Sequence, residues 1–129
     1  MNYPADLKYT RTDEWVRAAG ASATAGITDY AQEALSDIVY VELPQVGDSF
    51  KQGEAYSSVE SVKAAAEVNL PVGGAITAVN TALAAAPEVI NKDPYGAGWI
   101  AQFTLSDAGE LAGLMDAAAY AQYCESRKQ

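Results

Sequence analysis

The sequence predicts a mainly β protein with minor helix, built as a small sandwich or barrel. Short β-branched and aromatic stretches recur at intervals of about eight to twelve residues, with glycine or proline between them. Helix-like patterning is confined to one short segment after the third stretch and to the C-terminal end. At 129 residues the chain is read as one domain, 1–129, long enough to bury a core. The hydrophobic share of 50% contains much alanine, so the large core side chains come from few residues. Two Trp, two Phe and eight Tyr suggest a compact core with tyrosines at its rim.

The first strands are expected at Leu7 to Thr10, Glu14 to Ala18 and Ser22 to Ile27, with Gly20 breaking the second from the third. Thr28 or Asp29 then caps a short helix, Gln32 standing in capping-box spacing after Asp29. Ala31, Ala34 and Leu35 form its inward stripe. Val39 to Leu43 reads as a strand ended by Pro44. A very short strand follows between Gly47 and Gly53, then another over Ala55 to Val59. Beyond Lys63 come a strand at Val68 to Val72, a glycine turn at Gly73-Gly74, and an alternating strand at Ala75 to Asn80. Thr81 to Tyr95 is less regular. Trp99 to Leu105 is the last strand. Ser106 or Asp107 opens a helix with Leu111, Leu114 and Met115 on one side, and Asp116 caps a second carrying Tyr120, Tyr123 and Cys124.

Composition narrows the function. There is no histidine and one cysteine, so a zinc site and an internal disulfide are not expected, and Cys124 reads as a packed thiol. A net charge of −9 disfavours nucleic acid and anionic lipid as partners. No apolar run approaches the ~20 residues of a membrane span, and the N-terminus is neither signal-like nor Arg-rich. A soluble intracellular protein is expected, one that binds, presents something, or borrows chemistry from a cofactor.

Lys63 is the focus of that question. Read locally, Glu60, Lys63 and Glu67 flank three alanines at i, i+3 and i+7, which is a charge-paired helix with an ordinary solvated lysine. The flanks argue for a hairpin instead. Val46-Gly47-Asp48-Ser49-Phe50 before the lysine and Pro71-Val72-Gly73-Gly74-Ala75-Ile76 after it look like imperfect copies, each a glycine turn followed by an apolar residue. A helix of that length would also be marginal without an apolar face.

The chain resembles the H proteins of the glycine cleavage system, which are lipoyl-bearing carriers. The residues that carry the likeness are Lys8-Tyr9-Thr10, Glu14-Trp15-Val16, Gly26-Ile27-Thr28-Asp29-Tyr30-Ala31-Gln32 and Val41-Glu42-Leu43-Pro44. They continue through Val59-Glu60-Ser61-Val62-Lys63-Ala64 and Asp93-Pro94-Tyr95-Gly96 to Gly98-Trp99. The resemblance implies a lipoyl-domain-like barrel-sandwich hybrid with a short helix after the N-terminal strands and helices at the C-terminus. It implies lipoate in amide linkage on Lys63, and a carrier without catalytic residues of its own. The carrier would take the aminomethyl group of glycine from a pyridoxal-phosphate decarboxylase (P protein) to a folate-dependent aminomethyltransferase (T protein). A dihydrolipoyl dehydrogenase (L protein) would then reoxidise the dithiol. A lipoate ligase or a lipoyl/octanoyl transferase would load Lys63. The same resemblance makes Glu14, Tyr30 and Glu67 candidate lining residues of a cleft for the loaded arm. It suggests a monomer in a bacterial cytoplasm, or in the mitochondrial matrix for a mature eukaryotic chain.

Five positions depart from the family pattern, Gly73 and Ala75 replacing the Ser and Glu common around the matching turn. Asp13 and Tyr30 stand where relatives can carry His, and Glu67 where many carry Asp. Alternatives to this role are a lipoyl relay protein or a lipoyl domain of another multienzyme complex. A hydrolase using Ser61 and Lys63 as a Ser–Lys pair is a further reading, since i, i+2 spacing on a strand puts both on one face.

Overall fold

Two antiparallel sheets enclose the main core of this computed structural model, which describes residues 1–127. Strands β1 (Lys8–Tyr9), β2 (Glu14–Ala19) and β3 (Ser22–Ile27) lead to helix α1 (Asp29–Leu35) and strand β4 (Ile38–Glu42). Then come β5 (Ser49–Phe50), β6 (Ala55–Ser61), β7 (Ala65–Asn69) and β8 (Gly74–Val79). Single-turn helices α2 (Ala82–Ala85) and α3 (Val89–Lys92), strand β9 (Ala101–Leu105), a 3-10 helix (Ala108–Gly113) and helix α4 (Ala117–Ser126) follow. The larger sheet has the order β1-β2-β3-β9-β8-β5 and the smaller β4-β6-β7. This agrees with the expected barrel-sandwich architecture, the sheets remaining unclosed.

The two look-alike flanks of Lys63 turn out to pair with each other. Ser49 faces Ala75 and Phe50 faces Gly74 in the larger sheet. Further in, Gly53 N donates to Leu70 O and Leu70 N to Glu54 O. In the smaller sheet Ser58 faces Glu67, Val59 faces Ala66 and Glu60 faces Ala65. Residues 48–76 are therefore one long hairpin nested around Ser61–Lys63, with its base in one sheet and its tip in the other. The helix expected from local propensity at 60–67 does not form. Val59 and Val68 bury on the core side, and strand pairing satisfies the backbone that a lone helix would leave marginal.

Other expectations are corrected in detail. Gly47 and Gly53 have positive φ, as turn glycines should. Gly73 and Gly74 do not: Gly74 lies within β8, where a Cβ would come within 2.7 Å of the Phe103 ring on β9. Close packing, not turn geometry, requires glycine there. Thr28 and not Asp29 caps α1, its Oγ1 accepting from Ala31 N at 3.2 Å. Ala34 is exposed, leaving Ala31 and Leu35 as the inward stripe. The helix expected after Asp107 is a 3-10 turn that stops at Gly113. Leu114 and Met115 lie beyond it, because the Met115 backbone pairs with Tyr9, at 2.8 and 2.9 Å. The irregular stretch from Thr81 holds two helical turns that bury Leu83 and Ile90.

The tyrosines do not simply rim the core. Tyr9 and Tyr120 are fully buried and stack face to face, 4.7 Å between centroids. With Leu7, Trp15, Tyr95 and Cys124 they make a second core beneath α4, separate from the aliphatic one between the sheets. Each hydroxyl finds an acceptor: Tyr9 at Pro4 O (2.6 Å), Tyr95 at Asn2 O (2.7 Å) and Tyr120 at Asp13 Oδ1 (2.8 Å). Cys124 is a buried free thiol, in line with the expectation. Among the described residues, no helix is long and apolar enough to cross a membrane.

Candidate functional site

Lys63 stands at the tip of the β6–β7 hairpin, exposed, between the exposed side chains of Val62 and Ala64. Ser61 builds this tip. Its Oγ accepts from Ala64 N (3.0 Å) and Lys63 N (3.3 Å) and donates to Ala64 O (3.2 Å), while Ser61 N donates to the same carbonyl (2.7 Å). A serine hydroxyl folded over its own following backbone closes a turn without needing glycine. From outside, Val62 N donates to Asp37 O (3.0 Å). The Asp37 segment is fixed in turn by Asn91, which donates to Ser36 O (2.8 Å) and accepts from Ile38 N (2.9 Å). The backbone beneath Lys63 is thus held from both sides. Its ammonium has no hydrogen-bond or ion-pair partner among the described residues. The hydroxyl of Ser61 is spent on the turn and does not bond the Lys63 amine, which removes the geometry a Ser–Lys pair would require.

Beside the hairpin, against α1, lies a cleft of about 190 Å³. Val59, Ala66, Glu67 and Val68 of the hairpin form one wall, and Ile27, Ala31, Ala34 and Leu35 form the other. Thr12, Asp13 and Glu14, from the turn entering β2, complete the lining. The walls are mainly apolar, with Asp13, Glu14 and Glu67 as the acidic residues of the lining. Two of the three carboxylate or tyrosine candidates, Glu14 and Glu67, are brought together here. Tyr30 is not among the lining residues.

Glu14 is 1% exposed. Its Oε1 accepts from the hydroxyls of Thr10 and Thr12, both at 2.5 Å, and its Oε2 from Asn69 N at 3.1 Å. Burial raises its pKa above the ordinary carboxylate value, and those three hydrogen bonds pull it part of the way back. Because Asn69 ends β7, Glu14 also pins the return strand of the lysine hairpin to the larger sheet. A cavity of about 290 Å³ adjoins on the other side, and Thr12 and Glu14 form part of its lining too.

Tyr30 belongs to a different assembly. Its ring lies 4.2 Å from the Arg127 guanidinium carbon, and the Tyr123 ring lies 4.1 Å from the same atom. Between these rings Arg127 donates to Asp13 from Nη2 (2.6 Å) and Nη1 (3.2 Å). Asp13 adopts φ 75°, in the left-handed region that Asp tolerates better than most residues. The C-terminal end of α4 thereby grips the turn that carries Thr12 and Glu14.

The family model described as "Glycine cleavage H-protein" matches residues 7–127. The chain belongs to that family. Among its relatives, the glycine cleavage system H protein of Anaeromyxobacter sp. (strain K) is 49% identical over 128 residues, covering 99% of this chain and 100% of the relative. That of Thermus thermophilus is 50% identical, with 98% of each chain covered. Glycine cleavage system H protein 2, mitochondrial, of Arabidopsis thaliana is 51% identical, covering 93% of this chain and 77% of the relative. The crystal structure of a glycine cleavage system H protein from Mycobacterium marinum superposes with a TM-score of 0.84 at 41% identity, covering 92% of this chain and 96% of that one. Membership supports a lipoyl-carrier role in glycine cleavage and places the chain among carrier subunits.

Within this H-protein frame, sequence reasoning missed the turn-building role of Ser61 and the partnership of Asp13 with Arg127. Ser-x-x-Ala across a β turn could have signalled the first. Nothing local signals the second, whose partners are more than a hundred residues apart in sequence.

Proposed function

We propose that this chain is the lipoyl-bearing carrier of a glycine cleavage system, with lipoate attached to Lys63. In that role residues 1–129 act as one carrier domain. It shuttles the aminomethyl group of glycine from the P protein to the T protein and then presents the dithiol to the L protein. A lipoate ligase or lipoyl/octanoyl transferase loads it, and no nucleic acid or membrane takes part. What supports the reading is one observation: an exposed lysine amine, without a partner among the described residues, on a backbone tip fixed by Ser61 and Asp37. Such an amine fits acylation, because nothing has to be broken to free it, and the fixed tip gives a tether a defined root. When attached, lipoate supplies thiol–disulfide and group-carrying chemistry, so the chain needs no catalytic side chain.

The chain's own residues anchor, orient and shield. The hairpin that bears Lys63 also forms one wall of the cleft, so the tether's root and its resting place share a rigid element. The apolar walls exclude water, and Glu67 offers negative charge to a cationic end, while Glu14 is buried and engaged by Thr10, Thr12 and Asn69. Tyr30 acts from behind, through Arg127. The test is intact mass after incubation with a lipoate ligase, ATP and lipoate. One lipoyl addition is expected, absent in Lys63→Arg. No addition, or addition retained in that variant, overturns the assignment.

A further inference from the structure

Three carboxylates line the cleft, Asp13, Glu14 and Glu67, and among the described residues no lysine or arginine does. They are in different states. Glu67 is exposed, and its carboxylate has no hydrogen-bond or ion-pair partner among the described residues. Glu14 is spent on Thr10, Thr12 and Asn69. Asp13 alone is paired with a cation, accepting both terminal nitrogens of Arg127 and the hydroxyl of Tyr120. The guanidinium is itself clamped between Tyr30 and Tyr123. A guanidinium over two aromatic rings with a two-point carboxylate contact is an arrangement in which arginine is hard to replace. The bond is half-buried, with side-chain exposures of 27% and 18%, so solvent screens it only in part.

A cleft that takes a cationic end must also give it up. Were Asp13 unpaired, the wall would present one more uncompensated negative charge to that end. We propose that Arg127 sets how tightly the cleft holds a cationic arm, by pairing with Asp13 and so withdrawing one wall carboxylate from the ligand. Arg127 acts through Asp13 and is a positioning residue. The proposal rests on the reading of the cleft as the arm's resting place.

The test uses lipoylated protein whose arm is reduced with dithiothreitol and alkylated at both thiols. With 2-bromoethylamine each sulfur forms a C–S bond as bromide leaves, giving a stable cationic arm. With 2-bromoethanol the same displacement gives a neutral arm of similar length. Amide NMR shifts of Ala66 and Glu67 report the docked fraction. The wild type should dock the cationic arm in preference to the neutral one. Arg127→Met keeps an apolar stem between the rings and should raise docking of the cationic arm about two- to fivefold, the effect of one partly screened charge. The neutral arm should not respond. Adding Asp13→Asn, which suits the left-handed backbone, should restore the wild-type value. Arg127→Lys, which keeps the charge, should stay nearer wild type than Arg127→Met. Equal changes for both arms in Arg127→Met would show that Arg127 only shapes the cleft, and no change for either would show that its charge is irrelevant. Both outcomes overturn the proposal. If neither arm moves Ala66 or Glu67 in the wild type, the cleft reading itself falls, before any substitution is made.

Discussion

The aliphatic core between the sheets and the aromatic core beneath α4 hold the same cleft by different means. The first is made mainly of Val, Ile, Leu, Ala and Phe side chains, with Tyr56 among them, and it fixes where the hairpin wall stands. It has little chemistry of its own. The second is built of tyrosines whose hydroxyls reach acceptors, one of them Asp13 at the cleft. Displacing a ring there alters a hydrogen bond, and through it a charge. The difference teaches a division of labour: dispersion and apolar burial set the frame, while aromatic residues with polar tips carry adjustment from the end of the chain to the site.

That division can be broken or sharpened by substitution. The largest effect is expected from Phe103→Ala in the aliphatic core, about 3–5 kcal/mol of stability lost to cavity formation, read from urea unfolding. It should leave the preference for a cationic arm intact in the protein that remains folded. A shift in that preference as large as that of Arg127→Met would erase the distinction between the cores. Tyr120→Phe keeps the ring of an equally buried residue but deletes the hydroxyl shared by Asp13 and Thr28. A smaller loss, about 1–3 kcal/mol, is expected by the same measurement, and a loss above that of Phe103→Ala would invert the ranking.

Glu14→Gln separates burial from hydrogen bonding. Because the folded-state pKa of Glu14 is raised, its stabilising contribution is fully present below the unfolded carboxylate value of ~4.3 and declines as pH rises through the higher folded value. The melting temperature of wild type relative to Glu14→Gln should therefore fall from about pH 4 towards about pH 8. A difference that grows with pH would mean that the Thr10, Thr12 and Asn69 donors outweigh burial. The smallest effect is expected at the tip, where Ser61→Ala should cost about 0.5–1.5 kcal/mol and leave lipoylation of Lys63 largely intact. Abolished lipoylation would show that Ser61 does more than close the turn.

Much of the β framework was legible because its signals are local. β-branched runs, Gly20, Gly47, Gly53 and Pro44 mark the strands and breaks close to where they occur. The hairpin at Lys63 was legible only against propensity, since Ala64-Ala65-Ala66 favours helix and only the paired flanks outvote it. Elements set by distant partners were hidden. Leu114 and Met115 fit a helical stripe until the Tyr9 backbone claims Met115. Family likeness pointed to Glu14 and Glu67, and both line the cavity beside the hairpin. Tyr30 was placed there too, although its ring faces Arg127 and not the cleft lining. Asp13 and Tyr30, two departures from the family pattern, meet at that same arginine, a coincidence only three dimensions reveal.

The nesting of residues 48–76 around Lys63 has a kinetic consequence. Closing the short loop at Ser61–Ala64 first costs the least chain entropy, and each outer pair then closes a loop already shortened by the one inside it. The segment should zip outward from the lysine on the timescale of a simple hairpin, and fray inward from Ser49–Ala75 when it opens. Pulsed hydrogen exchange during refolding should protect the Ser61 amide, bonded to Ala64 O, before those of Leu70 and Ile76, bonded to Glu54 O and Asp48 O, and the reverse order would refute zipping. Lys63 then stands at the seed of its own support, its tip complete at an early step of folding.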